Sequence, residues 1–195
     1  MRTQTHALCV LLLGALVAPL CLAGGPKMEM VKVDYAGFGY NTAVDTNGDG
    51  YFVTMTDATG KGSFGKSTIA ITVEFDGSEP LDYDNQACSE GPFGPYAFMP
   101  VIETVAEKPH YWGFVTTAAD QSQAFGFFDQ GFLCINLESP PFHWFGMTWG
   151  AYMGGTGRFA GATGSWVSEY SGFNLDATVG LRSIRGTVEG ELIVP

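Results

Sequence analysis

The stretch "GKGSFGKST", residues 60–68, matches the phosphate-loop template G-x-x-x-x-G-K-[ST] at every fixed position. A working phosphate loop joins a buried parallel strand to a helix, whose first N–H groups hold the phosphates. The residues that follow Lys66 do not open a helix. From Ser67 to Phe75, Thr68, Ala70, Thr72 and Glu74 alternate with Ile69, Ile71, Val73 and Phe75, the period of a strand. Gly60, Gly62 and Gly65 are therefore read as turn and bulge residues, and nucleotide binding is not expected. Two other matches lack their context. Ser63 and Lys66 fit S-x-x-K, but the chain has neither S-D-N nor K-T-G. Gly155 to Ala160 fits G-x-G-x-x-[GA], but Gly161 and Gly164 follow where a dinucleotide fold needs a stable helix.

Asp45, Asn47 and Asp49, followed by Gly50, form the first half of a calcium loop, with oxygen ligands at alternate positions and a glycine at the sharp turn. The twelfth position is Thr56 where a bidentate acid belongs, and Asp57 comes one residue late. Calcium is thus a weak candidate against a polar hairpin turn, and no other cofactor is expected. His110 and His143 sit in no nucleophile or metal motif, and the acidic residues show no catalytic pairing. The segment "HWFGMTWGAYM", residues 143–153, is the most suggestive for a ligand. As a strand it puts His143, Phe145, Met147, Trp149, Ala151 and Met153 on one face and Trp144, Gly146, Thr148, Gly150 and Tyr152 on the other. Phe145, Met147 and Trp149 form an apolar surface uninterrupted by glycine, so this face is expected inside, as core or as the wall of a pocket for a small apolar ligand.

These residues stand on an exported chain. Arg2, an uncharged run from Ala7 to Leu22 and the small residues Cys21 and Ala23 read as a signal peptide over residues 1–23, leaving 24–195 as a single domain. A secreted or periplasmic address follows, with no membrane segment after cleavage. The chain carries 9 Lys and Arg against 20 Asp and Glu, a formal charge of −11, which repels nucleic acid and anionic lipid. Two of the 4 cysteines leave with the leader, and the remaining pair, Cys88 and Cys134, is expected to form one disulfide; two free buried thiols are the other reading.

Short β-branched or aromatic runs bounded by Gly, Asp or Pro recur at 111–117, 132–137 and 166–170, and at 187–194 Thr187, Glu189 and Glu191 alternate with Val188, Gly190, Leu192 and Val194. Residues 76–95 read as a long surface loop, and 101–108 as the one place for a short helix. The class is all-β, a closed barrel with a sandwich as the alternative.

The longer run "GGTGRFAGATGS", Gly154 to Ser165, resembles the signature of the allene oxide cyclase and dirigent superfamily, in particular its exported bacterial branch without assigned activity. "GKGSFGKSTI" and "DTNGDG" resemble the earlier glycine-rich strand and turn of that branch, and Cys134 sits where such proteins often carry a cysteine. The resemblance implies a single antiparallel eight-stranded barrel closed by the last strand. Within it, Gly154, Gly155, Gly157, Gly161 and Gly164 would make sharp bends, Phe159 would pack inward, and Arg158 would reach a carboxylate or carbonyl. The catalytic residues of the plant cyclases and the pocket residues of dirigent proteins find no match here. The expected function is accordingly a noncatalytic exported barrel, either binding a small apolar ligand or serving as a structural module. The alternative is an isomerase or cyclase-like enzyme acting on a hydrophobic substrate inside the barrel.

Overall fold

The computed structural model describes residues 25–195 apart from 47, 49, 78–79, 89–95, 101–112, 137 and 139. Nine strands are defined: β1 Lys27–Asn41, β2 Thr54–Gly62, β3 Gly65–Val73, β4 Ala97–Pro100, β5 Gly113–Ala118, β6 Gln123–Ile135, β7 His143–Gly155, β8 Thr163–Asp176 and β9 Leu181–Val194. They are antiparallel, in the order β4-β6-β5-β3-β2-β1-β9-β8-β7, and β6 also pairs with β7. That last pairing closes a ring of eight, and the short β4 lies beside the C-terminal half of β6. The fold is an all-β antiparallel eight-stranded barrel, not a sandwich. The described residues contain no α-helix, and the 101–108 segment lies outside them.

The sequence of 60–68 forms the β2–β3 hairpin. Gly62 pairs with Gly65, and Gly65 takes φ +72°, a conformation costly for any residue with a Cβ. The turn residue Phe64 folds back into the barrel end, 5% exposed, with its ring 4.9 Å from that of Phe159 in an edge-to-face contact. Phe159 belongs to a 3-10 turn, Gly157–Phe159, held between β7 and β8. The two glycine-rich motifs, distant in sequence, thus meet to plug one end of the barrel.

Register decides which residues fill the interior. In β7, Trp144, Gly146, Thr148, Gly150 and Tyr152 point inward and are buried. The face chosen from sequence is corrected: Phe145, Met147 and Trp149 lie on the outer side. The physical reason is steric. The glycines of the inner face are where rings from neighbouring strands lie, since a Cβ at Gly146 would come 2.7 Å from the Tyr170 ring and one at Gly150 2.9 Å from that of Trp166. Gly172 accommodates Trp144, and Gly186 accommodates Tyr35, in the same way. A narrow barrel has little interior volume, and alternating small and large residues is how it is filled without voids.

In β6 a bulge between Phe128 and Gln130 shifts the alternation, so Phe128 and Leu133 are both buried although their numbers differ in parity. Cys134 then falls on the outer side of the barrel and bonds Cys88. Cys88 and Tyr96, on the stretch between β3 and β4, pack on this side. Cys88, Tyr96 and Cys134 are buried there with Phe98, Phe132 and Phe145 packed against them, and the rings of Tyr96 and Phe145 lie 5.0 Å apart. Phe145 is therefore a wall of this satellite core.

Candidate functional site

Three levels can be distinguished along the barrel interior. At the plugged end Phe64 and Phe159 close the base. Above them the Trp166 ring stands edge-on to Phe114 at 4.9 Å and to Phe128 at 5.2 Å. The next level carries hydroxyl groups: Tyr35 and Ser168 share a hydrogen bond of 3.0 Å, and the Tyr170 hydroxyl donates to the carbonyl of Phe132 at 3.0 Å.

Toward the opposite end a cavity of about 50 Å³ remains. Its wall is mostly apolar, with Ile71, Val73, Leu133, Trp144 and Ile184, and its charged residue is Arg182. Arg182 is the second residue of β9, and its stem crosses the inner side of β1 at Gly39, where a Cβ would lie 3.3 Å from the Arg182 Cγ. The guanidinium donates to the Asn41 side-chain oxygen and, from Nε, to the Gly180 carbonyl at 3.4 Å. Thr54 Oγ1 donates to the same Asn41 oxygen at 3.0 Å. Burial lowers Arg182 to about 10, so it remains cationic at neutral pH.

The loop between β1 and β2 is tied down by Glu74. That carboxylate is fully buried and accepts hydrogen bonds from the backbone N–H of Thr46, at 3.1 Å, and from the Thr46 hydroxyl. Within the loop Asp45 accepts the N–H of Gly48 at 2.6 Å and of Gly50 at 3.0 Å, one on each carboxylate oxygen. Its lone pairs thus organise the turn, with Gly48 and Gly50 both at positive φ. Asn47 and Asp49 lie outside the described residues, and no group of three metal-ligating side chains occurs among the described ones.

In the glycine-rich run, Gly154, Gly157, Gly161 and Gly164 take positive φ, while Gly155 is limited by close approach, its Cβ position lying 2.0 Å from the Gln123 carbonyl. Phe159 is buried, and Arg158 lies 3.6 Å from Asp120 with its guanidinium 4.7 Å above the Phe159 ring. Both partners of that ion pair are about half exposed, so the contact orders the turn more than it stabilises the fold. His143 sits at the outer rim beside Phe173, and His110 lies outside the described residues. A larger hollow of about 670 Å³ lies on an open face, lined by Phe38, His143, Phe145, Phe173 and Arg185.

The feature sequence reasoning missed is the mouth formed by Arg182, Asn41 and Thr54. Its signal is faint: an arginine at an inward position of a strand legible in the sequence only from Thr187 onward.

The buried phenols have a measurable consequence. Burial raises Tyr35 to about 12, and it raises Tyr152 and Tyr170 further. Because the neutral form is favoured in the folded state, the stability these groups contribute is complete below the ordinary phenol range near 10. It declines as pH rises through that range toward the folded values. In a spectrophotometric titration, Tyr35, Tyr152 and Tyr170 should stay neutral until the barrel opens in alkali. Their reversible ionisation in the folded protein would contradict the burial described.

Comparison with known proteins finds no matching family model, no matching curated protein and no matching solved structure.

Proposed function

We propose that this chain is an exported, noncatalytic barrel module with a structural or interaction role, its interior serving as a packed scaffold. The observation that carries the reading is the size of the interior cavity, about 50 Å³, against the several hundred Å³ that enclose a drug-sized ligand. A hydrophobic substrate of cyclase type finds no space there. Chemistry points the same way. Among the described residues the wall of the cavity holds hydroxyls and one guanidinium but no carboxylate, imidazole or thiol. A Tyr35 phenol raised to about 12 is too weak an acid to ionise and serve as a general base at neutral pH.

Export belongs to the same proposal. The leader-like N-terminus supports it, and so does the Cys88–Cys134 disulfide, since such bonds persist in oxidising compartments. Membership of the allene oxide cyclase and dirigent superfamily is likewise proposed, on the Gly154–Ser165 run and on an eight-stranded closure of the kind that superfamily implies. No cofactor is assigned, and Asp45 serves its own turn.

The test is an environment-sensitive apolar dye titrated into the whole protein. The expected result is no change in the emission of the buried Trp144 and Trp166. Micromolar binding that quenches them, and that Thr148→Phe abolishes by filling the cavity, would replace this reading with that of a ligand carrier.

A further inference from the structure

The unmatched polar groups of the cavity wall are hydrogen-bond donors. A guanidinium offers five N–H groups. Arg182 engages Asn41 and Gly180, and among the described residues no carboxylate lies within ion-pair distance of it. Trp144, 5% exposed and also part of the wall, has an indole N–H with no acceptor among the described residues. A partly desolvated cation and a buried donor are both costly without an acceptor, so the surroundings favour a guest that accepts.

The wall narrows its class. One cation calls for a monoanion, because a second negative charge would be left unpaired against Ile71, Val73, Leu133 and Ile184. The planar fork of a guanidinium matches the two oxygens of a carboxylate. The apolar wall suits a guest with a hydrocarbon end, which a halide lacks. The volume of about 50 Å³ limits it to a few heavy atoms, since an apolar cavity of about 150 Å³ holds benzene. We propose that the mouth of this barrel binds a short-chain carboxylate, its oxygens accepting from Arg182 and the Trp144 indole N–H and its alkyl end against Ile71 and Ile184.

Gly39 belongs to the same construction. A Cβ there would lie 2.7 Å from Thr56 Oγ1 as well as against the Arg182 stem, so glycine leaves the arginine its path across β1. The site goes beyond the scaffold reading and does not depend on it, because a packed barrel can hold a guest of this size.

Sodium acetate and propionate, with acetamide and propionamide as neutral controls of the same shape, are titrated into the full chain at neutral pH. Methyl resonances of Ile71 and Ile184 report occupancy. The carboxylates should bind with about millimolar affinity, as suits so few atoms, and the amides at least about tenfold more weakly. Arg182→Met should lower carboxylate affinity about tenfold or more, Arg182→Lys should retain part of it, and Trp144→Phe should lower it a few-fold. Equal binding of amides and carboxylates would overturn the proposal. So would undiminished carboxylate binding by Arg182→Met, or no response of the wild-type protein to any of the four compounds. If Arg182→Met does not fold, the amide comparison and Arg182→Lys decide; a lysine variant that binds as tightly as wild type removes the case for the guanidinium fork.

Discussion

Trp166→Ala is expected to destabilise the protein by about 3–5 kcal/mol, while Trp149→Ala costs about 1 kcal/mol or less. Both tryptophans look equally apolar in the sequence, and they stand on neighbouring strands directly paired through Val167 and Gly150. Their environments differ. Trp166 is 3% exposed and touches Phe114 and Phe128, whereas Trp149 is only partly buried on the outer side of β7. Nothing near Trp166 can swing in to fill the space it leaves. The position it covers is Gly150, and the strands around it are held by their hydrogen-bond ladders. One effect opposes the loss: the Trp166 indole N–H is buried without an acceptor, and removing it relieves about 1 kcal/mol or somewhat more. The transfer and cavity terms are larger, so the net effect stays strongly unfavourable. Equilibrium urea unfolding of the two variants under oxidising conditions measures the difference. Equal costs would mean that β7 and β8 present their other faces to the core.

Loss of the Cys88–Cys134 bond is the second large effect. The cysteines are 46 residues apart, and the chain-entropy model assigns a crosslink of that span about 4 kcal/mol. Both are almost fully buried, at 1% and 0% exposure, Cys88 on the segment between β3 and β4 and Cys134 on β6. Replacing both by alanine should lower stability by about that amount. The damage should also be local. Held by Tyr96 against Phe145, by Phe98 stacked on Phe132 and by the short β4 pairing, this segment lies outside the ring of eight strands. Limited proteolysis of the variant should first cut between β3 and β4, leaving the ring strands protected. A stability within about 1 kcal/mol of wild type would indicate that the bond restrains little in the unfolded chain.

Both results bear on what was readable in advance. The alternation from Ser67 to Phe75 is visible because one side carries Ile and Val and the other Thr, Ala and Glu, and it matches β3. The strand β1 was not readable that way. Its inner side carries Val31, Val33 and Tyr35, but its outer side carries Met28, Met30, Phe38 and Tyr40, all exposed, so both faces look apolar. Strand β8 runs from Thr163 to Asp176, well beyond the aromatic run at 166–170, because its glycines and serines are supported by neighbours on both sides. In β7 the reading failed on a specific premise. Read along the chain, an inward glycine is a gap in the apolar surface, whereas Gly146 and Gly150 are the seats of Tyr170 and Trp166.

What the sequence by itself determined is local: two-residue periodicity, turns where glycine must stand, an all-β class, and one pair of cysteines left to join. Such features depend on each residue and its near neighbours, and they survive without knowledge of the partners. The tertiary structure decided the rest. Which side of β7 faces inward depends on the rings that β8 brings across it, and the cavity volume depends on every strand at once. Arg182 meets Asn41 across 141 positions of chain only because β9 closes on β1. A period of two says that a strand has two faces; only its neighbours, through register and steric fit, say which one is inside.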